Sequence, residues 1–231
     1  MKLRWLGHSA WLITASDGTK IVFDPFEAGA YDGGISYPPI NVTADVLLMS
    51  HTGHPDHGAA SAVKGSPQTF TVAGAHTAKG IAITGLDTFH DEEKGNARGK
   101  NVVFSVEVDG VKVTHCGDLG HEPTDAQYDA LAGGAGAAGR AGAKGTNVLL
   151  IPVGGFFTID AKMATKIVQR LKPNVCLPMH YKTTMCAFPI APVTDFTRGK
   201  SPVEQKPNEI EITKATLPPP TSYWVPALPK K

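Results

Sequence analysis

The chain has 231 residues, with 22 Lys+Arg against 21 Asp+Glu and 42% hydrophobic residues. That length suits one large domain or two small ones with a sizeable core, and the balanced charge argues against nucleic-acid or anionic-membrane partners. No apolar run approaches the roughly 20 residues that span a bilayer, the start Met1-Lys2-Leu3-Arg4 lacks a signal-peptide pattern, and the three cysteines follow no zinc-ribbon spacing, so a cytoplasmic protein is expected.

Leu3 to Leu6 and Ala10 to Thr14 read as short strands around Gly7-His8-Ser9. Asp17-Gly18 is a tight-turn signal, and Ile21-Val22-Phe23 runs into Asp24-Pro25, where the proline stops the strand and leaves a carboxylate at its mouth. Residues 27–42, rich in Gly, Pro and Tyr, read as an irregular loop bordering a pocket. The apolar run Val46-Leu47-Leu48-Met49 reads as a buried strand, followed by Ser50-His51-Thr52-Gly53-His54-Pro55-Asp56-His57 and a short helical stretch over 59–64. Segments 69–74 and 80–89 read as strands, the second ending in Phe89-His90-Asp91 ahead of a polar stretch that holds Arg98. Val102, Phe104, Val106 and Val108 share one strand face, Asp109-Gly110 turns the chain, and the return strand leads into His115-Cys116-Gly117-Asp118-Leu119-Gly120-His121.

Thr124 and Gln127 have the spacing of a capping box for a helix to about Leu131. Residues 132–146, almost wholly Gly and Ala, read as a flexible loop. After a buried strand at Val148 to Val153, Asp160 caps a helix with Ala164, Ile167, Val168 and Leu171 at helical spacing. A strand over 174–179 then ends in His180-Tyr181-Lys182. Residues 189–231 are proline-rich and read as a tail over the surface, anchored at Trp224. Hairpins first, then strands alternating with helices, suit an α+β domain over 1–231 with two sheets between helices.

Three imidazoles and a carboxylate within residues 51–57, just behind a buried strand, are hard to explain as packing. Imidazole nitrogen and carboxylate oxygen are the usual ligands of zinc and similar divalent metals. Ligand-type residues recur at other strand ends: Asp24, His90, Asp118 and His180. By strand parity His115 faces away from Asp118, and Cys116 lacks a nucleophile motif.

The 51–57 stretch resembles the H-x-H-x-D-H metal motif of the metallo-β-lactamase superfamily, with one extra residue between the first two histidines. Further fragments, in order, resemble the zinc-dependent hydrolases related to L-ascorbate-6-phosphate lactonase: Gly7-His8-Ser9, Phe89-His90-Asp91 with Arg98-Gly99-Lys100-Asn101, Gly117-Asp118-Leu119-Gly120-His121, Pro152-Val153-Gly154-Gly155 and Pro178-Met179-His180-Tyr181. The resemblance implies a four-layer αββα sandwich with two divalent ions, zinc foremost and manganese or iron as alternatives. It implies metal ligands at His51, His54, Asp56, His57, His90, Asp118 and His180, with Asp118 bridging, Asp56 also orienting the nucleophile, and Asp24 supporting from behind. Two ions roughly 3.5–4 Å apart would turn a shared water into hydroxide near neutral pH. His8, His121 and Arg98 are candidates for supporting or substrate contacts. Glycine at the extra position, Gly53, favours a positive-φ bulge that keeps both His51 and His54 as ligands.

The expected function is hydrolysis of a small-molecule ester or lactone, with an anionic substrate in one reading. The alternatives are a phosphodiesterase or nuclease of the same fold, which the balanced charge disfavours, and a metal-dependent binding or sensing module without turnover. A flavin-linked di-iron protein fits less well, since that group places Glu where His54 stands. The sequence leaves monomer and homo-oligomer open.

Overall fold

Fourteen short strands account for the apolar alternation in the computed structural model, which describes residues 1–133 and 145–230. In chain order they are β1 (Lys2–Gly7), β2 (Ala10–Thr14), β3 (Lys20–Phe23), β4 (Val46–Leu48), β5 (Gln68–Phe70), β6 (Gly74–Ala78) and β7 (Ile81–Phe89). They continue with β8 (Lys100–Val108), β9 (Val111–His115), β10 (Val148–Pro152), β11 (Val175–Met179), β12 (Val203–Lys206), β13 (Glu209–Glu211) and β14 (Ser222–Pro226). One sheet has the order β13-β1-β2-β3-β4-β5, the other β12-β14-β11-β10-β9-β8-β7-β6. A single apolar cluster runs through both, from Trp5, Trp11, Phe23 and Leu47 to Phe104, Val113, Leu150 and Leu177. The Phe23 ring stacks on His115 at 4.9 Å, joining the two sheets directly.

The helices are unequal. The one-turn α1 (Ala30–Gly33) holds Tyr31 and Asp32 in left-handed backbone, φ 54° and 53°. The β4–β5 crossover carries only a 3-10 turn, Ala60–Ala62. The longer helices α2 (Asp125–Leu131) and α3 (Ala161–Leu171) both lie in crossovers of the second sheet, and α4 (Val193–Thr197) follows β11. Thr124 and Gln127 form the expected capping box, and Asp160 Oδ1 accepts from Met163 N at 2.7 Å. α3 buries Ala164, Ile167 and Val168, the stripe set by its 3.6-residue period. The two-sheet α+β expectation holds, with helix concentrated on the second sheet. Of the Gly/Ala loop expected at 132–146, residues 134–144 lie outside the described residues. No helix among the described residues is long and apolar enough to cross a membrane.

The C-terminal reading needs correction. Residues 189–231 are not a tail over the surface: β13 pairs with β1, Leu3 opposite Ile210, and β14 adds in parallel to β11 while β12 pairs with β14. Ile210, Ile212, Trp224 and Val225 are buried. These strands are only three to five residues long, and Ile210 pairs with a residue near the other end of the chain, so local patterning among prolines gives little sign of them.

Strand direction makes the site. β1 and β3 each run antiparallel to β2, and β4 runs parallel to β3, so β1, β3 and β4 end at one edge of the first sheet. By the same reasoning β7, β9 and β11 end at one edge of the second. The residues just beyond those six ends are His8, Asp24, the 51–57 cluster, His90, Asp118 and His180.

Candidate metal centre

Each strand leaves its sheet through a sharp turn, and three of the site residues have left-handed backbone: His8 at φ 49°, Asp24 at 41° and His180 at 50°. Such angles cost of order 1–2 kcal/mol for a residue with a Cβ, and they persist where packing dictates them, as at functional sites. Gly53 has φ +91°, so the extra residue of the 51–57 segment is taken up as a positive-φ position.

Asp118 stands at the centre. Its Oδ1 lies 2.8 Å from His57 Nε2, and its Oδ2 lies 3.3 Å from His90 Nε2 and 3.9 Å from His180 Nε2. Asp56 Oδ1 lies 3.2 Å from His57 Nδ1 and accepts a hydrogen bond from Tyr31 Oη at 2.9 Å, while Oδ2 is 3.9 Å from His8 Nε2. The His51 ring lies 4.7 Å from that of His54 and 4.9 Å from that of His90, centroid to centroid. His51 Nδ1 is 2.9 Å from the Lys100 carbonyl. A carbonyl only accepts, so Nδ1 carries the hydrogen and Nε2 keeps its lone pair, the state of a ligating imidazole.

The donor set fits divalent metal. Both ring nitrogens of His8, His57 and His90, together with His51 Nε2, His180 Nδ1 and Asp118 Oδ1, are buried without a hydrogen-bond partner. Leaving one such atom unmet costs about 1–3 kcal/mol, and this many around one carboxylate call for a shared partner. His57 Nε2 and Asp118 Oδ1 are the clearest pair: 2.8 Å apart, yet not aligned as donor and acceptor. A cation between such groups satisfies nitrogen lone pairs and carboxylate charge together.

The electrostatics agree. Burial alone would raise the Asp118 carboxyl, but His57, His180 and His90 hold it well below the usual carboxylate range. Burial likewise opposes ionisation of Asp56, and His57 outweighs it, so this carboxyl too is depressed. For His57, burial works against the charged form, and the flanking charges of Asp118 and Asp56 prevail to raise it. Burial lowers His90 to about 4, and it lowers His180 and His8 as well. The two carboxylates are thus favoured as anions, and burial disfavours the charged form of His90, His180 and His8 while the carboxylates favour it at His57.

Supporting groups hold these residues in place. Ser50 donates to Asp24 through N–H and Oγ, at 2.7 and 2.5 Å, tying the ends of β3 and β4 together. Gly117 N–H donates to His115 Nδ1 at 3.0 Å, so His115 Nε2–H donates to Ser9 O at 2.8 Å. His115 thus braces the Ser9 and Gly117 turns. Asn101 accepts from Asp118 N at 2.8 Å and donates to Thr88 and Cys116. A side chain at Gly120 would stand 2.2 Å from the His90 carbonyl carbon, so only glycine allows that approach.

The structure therefore brings together Asp56, His57, His90, Asp118 and His180, with His51 alongside His90. His54 is exposed at the rim beside His51. His121 Nε2 accepts from Phe89 N at 3.1 Å, so it reaches the centre only through the backbone before His90. Arg98 is exposed, donating from Nη2 to the Phe156 carbonyl at 3.1 Å and lying over the Phe157 ring. Arg98, Phe156 and Phe157 line, with Asp91, Gly120 and Met163, a cavity of about 390 Å³ beside the His90 turn. His8 is fully buried, and His8, His57 and His180 offer nitrogens that all lie within 4.8 Å of one another. Sequence reasoning assigned no role to Tyr31, Asn101 or Asp91, although Asp91 and Asn101 stand in the fragments that carry the resemblance and Tyr31 in the loop read as bordering a pocket.

Comparison with known proteins gives consistent results. A family profile described as a beta-lactamase superfamily domain matches residues 2–180. A UPF0173 metal-dependent hydrolase of Archaeoglobus fulgidus is 30% identical over 212 residues, 79% of this chain and 84% of that one. Its counterpart in Thermococcus kodakarensis is 30% identical over 207 residues, 79% and 85% of the two chains. The crystal structure of a proposed zinc-dependent hydrolase of the metallo-β-lactamase superfamily from Thermotoga maritima superposes with a TM-score of 0.75 at 35% identity, covering 98% of this chain and 99% of that one.

Proposed function

The chain belongs to the metallo-β-lactamase superfamily and groups with its metal-dependent hydrolases, and on that premise we propose that it binds two divalent ions and hydrolyses a small-molecule ester or lactone. The observation that carries this is the set of buried, unpartnered imidazole nitrogens around the Asp118 carboxylate. His51, His54 and His90 would hold one ion and Asp56, His57 and His180 the other, with the Asp118 carboxylate shared between the two sets. Bound there, the ions supply an activated water and polarise the substrate oxygen. The chain's own groups do the rest. Asp56, kept anionic by His57 and fixed by the Tyr31 hydroxyl, orients the attacking water. Phe156 and Phe157 give the cavity an apolar wall, and Arg98 at its rim offers charge to an anionic substrate group. The reading calls for no cysteine nucleophile, and burial pushes the Cys116 thiol up to about 12. Zinc suits this nitrogen-rich set, with manganese or iron as alternatives. The lactone preference rests on the motif resemblance.

Elemental analysis of protein reconstituted in excess zinc or manganese should give two ions per chain, and His57→Ala or His180→Ala should selectively weaken one. A screen over lactones, phosphodiesters and thioesters should show chelator-sensitive turnover of a lactone or ester. Absence of divalent metal after reconstitution sinks the reading. Turnover of phosphodiesters alone reassigns the substrate class, and metal without any hydrolysis leaves a binding or sensing module.

A further inference from the structure

We propose that the substrate carries an aromatic ring between its scissile ester or lactone group and an anionic end. Tyr31, Phe188, Phe157 and Phe156 seat that ring on the way to Arg98. This rests on the hydrolase reading above and narrows its substrate class.

Single apolar residues scattered on a surface need no explanation, but these four form a row. The Tyr31 ring lies 5.3 Å from that of Phe188, Phe188 5.7 Å from Phe157, and Phe157 4.7 Å from Phe156, centroid to centroid. Its inner end is tied to the candidate centre. Tyr31 Oη donates to Asp56 Oδ1 at 2.9 Å, and the Phe188 ring lies 5.6 Å from that of His8. Its outer end is positive, with Arg98 Cζ 5.9 Å from the centre of the Phe157 ring. The connections after β3, β7, β10 and β11 each supply part of the row and its arginine, so no local sequence effect groups them.

Exposure and backbone set two of the four rings apart from ordinary packing. Among the described residues, the exposed large aromatic side chains are Tyr31, 47% exposed, and Phe156, 63% exposed. Both have left-handed backbone, φ 54° and 65°. Each feature alone disfavours a bulky apolar residue, because the angle is strained and the ring meets water. Folding alone would favour glycine or asparagine there. Neighbouring rings also meet edge to face, at 75°, 68° and 72° between planes, which leaves ring faces uncovered. An alkyl chain laid on such a wall gains burial only, whereas an aromatic ring gains burial and a further edge-to-face contact. Arg98 gives one N–H to the Phe156 carbonyl at 3.1 Å and keeps others for a carboxylate or phosphate beyond that ring.

NMR titration of the whole zinc-reconstituted protein tests this with three amides that stand in for the corresponding acetate esters. Para-(acetamidomethyl)benzoate has both ring and charge, N-benzylacetamide the ring alone, and N-acetyl-ε-aminocaproate the charge alone. The first should bind about tenfold or more tightly than either of the others. Arg98→Ala should bring it to the level of N-benzylacetamide. Phe156→Gly relaxes the left-handed backbone, so it should melt no lower than wild type. It should nonetheless bind the first amide about tenfold more weakly, a combination that a packing role would not produce. Equal affinities for the three amides, no binding of any, or undiminished binding in Phe156→Gly overturns the inference. The acetate esters separate it from the reading beneath it. Hydrolysis of all three esters with equal kcat/KM removes the aromatic site and leaves the hydrolase. Discrimination among the amides with no ester hydrolysed supports the site and counts against ester hydrolysis.

Discussion

No neighbour crowds Gly53: a Cβ added there would meet nothing within 4 Å, and the only obstacle to another residue is its φ of +91°. Substitution therefore isolates backbone strain from packing. Alanine should cost about 1–2 kcal/mol if the turn is kept, and a β-branched residue more. That strain falls on the segment spacing His51 from His54, so Gly53→Val should weaken the ion assigned to His51, His54 and His90 about as badly as His51→Ala. Gly53→Asn, which tolerates left-handed backbone, should keep most of the affinity. If chelator competition finds both ions held normally in Gly53→Val and in His51→Ala, His51 is not a ligand. Arg98 poses a second question at this scale. One of its five N–H groups donates to the Phe156 carbonyl, which leaves donors for an anionic substrate. Arg98→Ala should raise KM for charged substrates more than for neutral ones, by about 1–3 kcal/mol in kcat/KM; equal effects would assign it to holding the 156–157 loop alone.

At the scale of elements, the polar stretch after β7 is organised by a single side chain. The Asp91 carboxylate accepts from the backbone N–H of Glu93 and Gly95 at one oxygen, and of Ala97 and Arg98 at the other. The loop closes where Gly99 O accepts from His90 N at 3.0 Å and Lys100 O from His51 Nδ1 at 2.9 Å. Asp91→Asn turns one acceptor into an amide facing two N–H donors, a loss of roughly 1–3 kcal/mol. Amide exchange over 93–99 should accelerate and metal affinity fall about tenfold; unchanged exchange would show that the loop holds itself. From sequence this stretch reads as a solvated run of charges, because an aspartate that serves backbone donors looks like any other surface aspartate. The role of Asn101, which stands in one of the resembling fragments, was hidden for the same reason. The strand ends were legible because a buried apolar run followed by His or Asp leaves few alternatives, and the Thr124 and Asp160 caps because capping is local. The edge strand β6 and the strands after residue 200 were not, since their pairing is decided by partners distant in sequence.

Across the whole molecule, the site exists because two sheets end at facing edges, so whatever fixes the sheets to each other fixes the ligands. Asp109, in the β8–β9 turn of the second sheet, accepts from Ser16 N at 2.9 Å and Ser16 Oγ at 2.7 Å, and lies 2.9 Å from the Met1 ammonium. The Met1 ammonium first, and then Ser16, holds its carboxyl below the ordinary value. A depressed folded pKa contributes stability above the unfolded value of about 3.9, and that contribution is lost as the pH falls through the folded pKa. Asp109→Asn should therefore lower unfolding free energy at pH 7 by about 0.5–1 kcal/mol after solvent screening, with the gap to wild type closing below about pH 4; a gap independent of pH would exclude the charge as its cause. The C-terminal strands make the stronger claim. Ile210 and Ile212 cover the edge of the first sheet while Trp224 and Val225 extend the second, and the Trp224 indole N–H donates to Glu204 Oε1 and Ser222 Oγ. Burying four such side chains is worth on the order of 6–12 kcal/mol, comparable to the ~5–15 kcal/mol that hold a whole domain. A chain ending at Arg198 should thus fail to unfold cooperatively and should bind no metal, and Trp224→Ala alone should cost about 3–5 kcal/mol. Were the segment a surface tail, the truncated chain would melt at the temperature of the full one and keep both ions. Thermal denaturation of the truncated and full-length proteins, with metal content measured on each, decides between the two.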